Sequence, residues 1–311
     1  MDRNLVGPTR SLTGDLCRGS VLPLGPAGRI DMSRIVAVGD NVVDCYRSVG
    51  QMFPGGSCLN VSVFARRFGA ITSYVGAVGQ DAAGNAIRAA LAEEGVITER
   101  LRVLPGPTAY CVIGHRQGDR VFLKFDLGVS IFVPDEVDFE FVRSFDAVHI
   151  GQSSGLDAYL ERFSAEVRLS YDFSTRRDVA HRELITPRCF LASFSGGDLD
   201  REDGVALLRQ ALAAGAEWCL VTRGEHGAFL GTGDQLFETP AVSVDVVDTL
   251  GAGDSFTART LMGLLSGEAP RDTLHAAAQA AAETCTHLGA VGHAVPIAID
   301  VSHMWALEDE G

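Results

Sequence analysis

Two aspartates enclose three small residues in the run Asp248-Thr249-Leu250-Gly251-Ala252-Gly253-Asp254, and this is where the residue types point most directly to a reaction. The apolar residues 242–247 read as a strand leading into the run, and residues 255–265 read as a helix leaving it. Small residues at a helix start let backbone N–H groups come close to an anion, and the helix dipole favours negative charge there. A carboxylate beside such a site repels the anion, so Asp254 is not there to bind it. It makes sense as a base that takes a proton from a hydroxyl attacking phosphorus. An oxyanion cradle of Gly251, Ala252 and Gly253 next to a base suggests phosphoryl transfer to an alcohol.

Other runs belong to the same picture. Gly55-Gly56-Ser57-Cys58-Leu59-Asn60 opens a helix, and Thr222-Arg223-Gly224-Glu225-His226-Gly227 follows an apolar strand. The second could equally be a simple hairpin turn. Asp40 and Asp44 follow the first strand at its C-terminal end, where ligand sites of α/β proteins form; Asp40 could instead cap a turn. Strand signals at 35–38, 73–78, 147–150, 169–173, 189–192 and 218–221 alternate with helix signals at 59–68, 84–94, 157–163, 203–214, 253–265 and 272–288, the last Ala-rich. Gly69, Gly95, Gly215 and Gly267 follow helices as C-terminal caps. The alternation predicts parallel strands with crossover helices, hence a three-layer α/β/α sandwich with a mostly parallel sheet. Two excursions break it: residues 44–54, and strand-like 108–114 and 120–125 joined by the turn Arg116-Gln117-Gly118-Asp119. Together they predict a small β lid. Residues 1–31, rich in Gly, Pro and Arg, read as a loosely ordered extension, residues 32–298 as the domain, and 299–311 as a tail.

Composition narrows the partners. A length of 311 residues allows one large α/β domain or two smaller ones. The net charge of −14 argues against nucleic acid and against anionic membranes. Lys124 is the single lysine among 26 basic residues, so a Walker-type loop and a protein-kinase lysine are excluded, and its place in a strand argues against Schiff-base chemistry. Seven cysteines at positions 17, 45, 58, 111, 189, 219 and 285 form no C-x-x-C pair and read as thiols in a reducing compartment, which predicts a cytoplasmic protein. No apolar run is long enough to span a membrane, and no signal-peptide pattern opens the chain. No His spacing suggests a zinc site.

The three motifs, in this order and spacing, resemble the ribokinase-type (PfkB-type) carbohydrate kinases over residues 32–296. The strings 39–46, 119–122 and 171–174 resemble the fructoselysine 6-kinase subgroup of that family. The resemblance implies a ribokinase-like fold, Asp254 as catalytic base, and Gly251, Ala252 and Gly253 as the anion hole. It implies sugar contacts from Asp44 (or Asp40), Gly55, Gly56 and Asn60, and a substrate or phosphate contact from Asp172. It further implies a nucleotide site at Thr222, Gly224, Gly227 and Gly253, and a monovalent cation such as K+ at Asp248 and the Leu250 carbonyl. The implied reaction moves the γ-phosphoryl group of ATP, with Mg2+, to a primary hydroxyl of a sugar or sugar–amine adduct. A lid hairpin near Arg120 would exclude water, and lid strands would pair two copies as a homodimer.

Two positions depart from that family. Its Asn-x-x-Glu is replaced by Ala192-Ser193-Phe194-Ser195-Gly196-Gly197-Asp198, which leaves the Mg2+ ligands unassigned, with Asp198 or water as substitutes. Arg259 stands where a small residue is usual, so it must crowd a neighbour or reach an anion in the site. Other readings are kinases for another sugar or a nucleoside, a degenerate sugar- or nucleotide-binding protein, and a serine hydrolase. The last rests on Gly151-Gln152-Ser153-Ser154-Gly155, with Ser153 as nucleophile and His275 as base.

Overall fold

The computed structural model describes residues 32–116 and 119–299, without the side chains of 115–122. The extension 1–31, turn residues 117–118, the Arg120 side chain and the tail beyond 299 lie outside the described residues. The chain runs β1 (Arg34–Val38), β2 (Val42–Tyr46), β3 (Gln51–Gly55), α1 (Ser57–Arg67), β4 (Ile71–Gly79), α2 (Ala82–Glu93), β5 (Leu101–Leu104), β6 (Tyr110–Arg116) and β7 (Asp119–Asp126). It continues with α3 (Glu136–Val142), β8 (Ala147–Gly151), α4 (Leu160–Phe163), β9 (Arg168–Asp172), α5 (Val179–Ile185), β10 (Cys189–Ser195) and α6 (Arg201–Ala213). The last elements are β11 (Trp218–Thr222), β12 (Ala228–Thr232), β13 (Gln235–Thr239), α7 (Ala252–Leu265), α8 (Pro270–Thr284) and β14 (Val295–Pro296).

Nine strands form the main sheet, in the order β13-β12-β11-β10-β9-β8-β1-β4-β5. All pairs are parallel except β11–β12 and β12–β13. Central parallel strands are covered on both faces and so read as continuous apolar runs. Residues 35–38 are fully buried, and they alternate between two cores: Ile35 and Ala37 pack with α1, α2, α7 and α8, while Val36 and Val38 pack with α3, α4, α5 and α6. This is the expected three-layer sandwich. A fully buried aliphatic side chain of this kind contributes about 1.5–3 kcal/mol. Because β1 is flanked by β4 and β8, the strand order reverses there, and the C-terminal ends of β1 and β8 open a crevice.

A second sheet, β14-β3-β2-β6-β7, gathers the two excursions. Arg116 and Asp119 face each other across the β6–β7 hairpin.

Three expectations need correction. Residues 242–247 are not a strand: the main sheet ends at β13, and this segment instead lies along a cavity, with Val246 and Val247 exposed. The last helix stops at Thr284 instead of 288, because the Cys285 carbonyl turns to accept the N–H groups of Val247 and Asp248. The predicted helix 157–163 is only the short α4 preceded by a single tight turn.

Candidate active site

The ends of β8, β9, β10 and β11 and the starts of α1 and α7 converge on one hollow of about 330 Å3, walled by Ser57, Asp172, Ser193, Ser195, Gly251 and Asp254 among others. A second cavity of about 920 Å3 adjoins it, and the two share Ser195, Thr222 and Gly253.

The junction is the start of α7. Gly251 adopts φ +80°, a left-handed conformation that glycine adopts without strain, and no side chain caps the helix. First-turn N–H groups have no partner within a helix. That of Ala252 turns back to the Thr249 carbonyl at 3.3 Å, while Ala252 itself lines the larger cavity. A Cβ on Gly253 would meet nothing within 4 Å, so its backbone is open to both cavities. The turn is braced from below: a Cβ on Gly251 would lie 2.4 Å from the Ala290 Cβ. The segment carrying Ala290 is tied to the first two helices by Arg67 donating to the Val291 carbonyl (2.7 Å) and by the His293–Glu94 contact (2.7 Å).

Asp254 sits in the first turn of α7. The Asn60 amide donates to its Oδ2 at 2.8 Å. Burial pushes its carboxyl up from the ordinary 3.8 to about 7; the Asn60 amide opposes the rise, and repulsion from Asp172 and Asp40 adds to it. Asn60, expected on the sugar, is thus placed on the carboxylate. Burial likewise raises Asp172 to about 6, against the Ser174 N–H that donates to its Oδ1 at 3.0 Å.

Asp40 is a structural anchor: it accepts the N–H groups of Ser57 (2.9 Å) and Cys58 (3.4 Å) at the start of α1 and the Ser154 hydroxyl (3.0 Å). Asp44 is buried on β2, opposite Phe53 of β3, and lines neither cavity. Gly55 is required beside it, since a Cβ there would lie 2.3 Å from Asp44 Oδ2; at Gly56, φ +103°, a Cβ would lie 2.6 Å from the Asn41 Cα. Asp248 receives the Leu250 N–H on Oδ1 and the Gly289 N–H on Oδ2, each at 3.1 Å.

Thr222, Gly224 and Gly227 line the larger cavity, and the 224–227 turn also closes the β11–β12 hairpin. The opposite wall was not foreseen: Val242, Val244, Val246, Ala278, Ala281 and Ala282 make an apolar slot suited to a flat aromatic base. The Ala-rich run of α8 was the available signal, because small side chains leave a slot. Ser193 and Ser195 were also missed as cavity residues, being ordinary in a strand.

The departures resolve structurally. Arg259 makes a two-pronged pair with Glu268, both contacts 2.8 Å, and does not line either cavity. Asp198 is held by Arg177, which keeps its carboxyl at about 2, and it too lies outside both walls, so it does not replace the missing Asn-x-x-Glu. Ser153 lines the smaller cavity, but the His275 ring bonds Gln279 on its own helix, so no hydrolase pair forms. The described residues hold no cluster of three metal-ligating side chains and no helix long and apolar enough to cross a membrane.

The sequence pattern of the pfkB family carbohydrate kinases matches residues 32–171 and 189–297. The chain belongs to that family. This kinase is 35% identical over 272 residues to the fructosamine kinase FrlD of Bacillus subtilis (strain 168), covering 86% of this chain and 96% of that protein. It is 30% identical over 261 residues to the fructoselysine 6-kinase of Escherichia coli (strain K12), covering 83% of this chain and 100% of that protein. Its fold is that of the Arabidopsis thaliana ribokinase solved with ribose and ATP (TM-score 0.75, 21% identity, 84% of this chain and 95% of that one). A fructokinase double mutant from Vibrio cholerae O395, in a form with fructose, ADP and potassium ion bound, shares the fold (TM-score 0.69, 21% identity, 84% and 95%). The protein is therefore an ATP-dependent sugar kinase. Asp172 falls in the stretch between the two matched segments.

Proposed function

We propose that this kinase phosphorylates a primary hydroxyl of a sugar–amine adduct of the fructosamine or fructoselysine class, with Asp254 as the base. The observation that carries the reading is the placing of Asp254: a carboxyl raised to about 7, oriented by Asn60, in the first turn of α7 where the two cavities meet. A base is most effective with a pKa near the working pH. Asp254 takes the hydroxyl proton as that oxygen bonds the γ-phosphorus and the bond to the ADP oxygen breaks. The open N–H of Gly253 and the dipole of α7 stabilise charge on the phosphoryl oxygens, a contribution of about 2.7–4 kcal/mol per donor in oxyanion holes. The nucleotide base fits the slot between the 242–246 segment and α8, with Thr222, Gly224 and Gly227 on its other side. Asp44 and the Gly55–Gly56 backbone, which lead into the helix bearing Asn60, form the proposed acceptor side.

Mg2+ fits the smaller cavity, whose wall carries Asp172, Asp254 and serine hydroxyls but no Lys or Arg to offset phosphate charge. Asp172, Ser193 and Ser195 are the side chains that would hold it. When bound it neutralises charge on the phosphates. A homodimer through the lid sheet belongs to the same proposal; its support is the edge position of β7 and the exposed Phe125 and Leu127.

The relatives' names favour a fructosamine acceptor over a free ketose, pentose or nucleoside. The test is ADP formation across a panel of those four classes, with Asp254→Asn as control. Turnover on a fructosamine that vanishes in the control is expected. A higher kcat/KM on a free sugar or nucleoside would discard the acceptor and keep the kinase.

A further inference from the structure

Tyr46 links the lid to the phosphoryl-transfer turn. It stands two residues beyond Asp44 on β2, so the two side chains leave the same face of that strand. Its ring is buried, meets Phe53 edge-on with centroids 5.1 Å apart, and packs in a small cluster with Ile113, Leu250 and Leu288. Its hydroxyl donates to Oδ2 of Asp248. The same oxygen accepts the Gly289 N–H and the other accepts the Leu250 N–H. Three donors therefore converge on a carboxylate that offers about four acceptor sites. The Tyr46 O–H and the Gly289 N–H take both lone-pair positions of Oδ2, where a monovalent cation ligated through that oxygen would have to sit, so Oδ2 as partnered here does not fit one.

We propose that the Tyr46 hydroxyl takes the place of a monovalent cation at Asp248, and that this kinase turns over without potassium. The proposal rests on the reading of the Gly251–Gly253 turn as the anion cradle. Through Asp248 the hydroxyl fixes the Leu250 N–H, and with it the entry into Gly251. Tyr46 touches no reacting atom, so it is a positioning residue. A hydrogen bond to a charged acceptor is strong enough for its loss to be read in kcat.

The test measures turnover of the wild type in potassium-free Tris buffer and then with saturating potassium. A change in kcat below about twofold is expected, while Tyr46→Phe, which keeps the ring, lowers kcat about tenfold and the melting temperature by a few degrees, with acceptor KM nearly unchanged. Potassium stimulation of the wild type by about tenfold or more, or a Tyr46→Phe enzyme with wild-type kcat, overturns the proposal. If Tyr46→Phe does not fold, the wild-type potassium titration decides alone. If no acceptor in the panel is turned over, the functional reading has failed. Melting of the wild type with and without potassium then tests Tyr46 separately: no shift specific to potassium is expected, and a rise of several degrees overturns the proposal.

Discussion

Replacing Asp254 by Asn should remove nearly all turnover and yet make the protein harder to melt at alkaline pH. In the unfolded chain this carboxyl ionises near 3.8, and in the fold only near 7. Between those values the folded state keeps a proton that the unfolded state has released, so stability falls as pH rises through the window and levels off above it. Taken in full, the shift corresponds to about 4 kcal/mol. The side chain is partly open to the cavity, so about half of that, ~2 kcal/mol, is the expected cost of the charge. Asp254→Asn carries no charge and still offers a carbonyl oxygen to Asn60. Its melting temperature should exceed that of the wild type by about 5 °C at pH ~8, with the gap narrowing as pH falls and closing near pH ~4. Its kcat should fall by about 10²–10⁴-fold. Calorimetry at both pH values and a coupled ADP assay read the two effects independently. Identical melting of the two proteins at the higher pH would refute the buried-charge argument, and undiminished kcat would refute the base.

The neighbours of Asp254 should move the acid limb of kcat/KM in opposite directions. Asp172→Asn removes a repelling charge and shifts the limb to lower pH; Asn60→Ala removes the amide that favours ionisation, shifts it to higher pH, and costs about tenfold in kcat/KM at neutrality. The glycines of the turn separate folding from function. Gly251→Ala puts a Cβ at φ +80° against Ala290 and should cost about 1–3 kcal/mol in denaturant titration. Gly253→Ala projects a methyl into open space and should leave melting unchanged while lowering kcat/KM for ATP about tenfold. Arg259→Ala loses only its pair with Glu268, so kcat should stay within about twofold and stability fall by at most about 1 kcal/mol.

Much of the fold was legible because buried parallel strands must be apolar along their whole length, as residues 35–38 are, and because glycines end several helices. The segment 242–247 misled for a reason the sequence does not carry. Its alternating valines would suit a strand, but the sheet is already closed at that edge by β12 and β13, and the side chains line a cavity instead. At the site, small residues before a carboxylate could be read because their chemistry is local. Asn60 lies 194 residues from Asp254, Tyr46 202 residues from Asp248, and Ser154 114 residues from Asp40. That Asn60 holds Asp254, that Asp40 anchors α1, and that Tyr46 reaches Asp248 are facts of packing with no local signature. Arg259 illustrates the converse: a residue that looked out of place is satisfied by Glu268 in the turn after its own helix.

The brace beneath the cradle bears on how this protein is made. The central strands and Asp254 itself are all present once residue 254 has been synthesised, but Gly251 rests on Ala290, and Asp248 on the N–H of Gly289. The Arg67–Val291 and His293–Glu94 ties then fasten that late segment to helices made far earlier. Domains emerge N-terminal end first during translation. The sheet can thus begin to assemble on a nascent chain while the cradle waits for its last support, and a product truncated before residue 289 would keep most of the sandwich without a competent phosphoryl site.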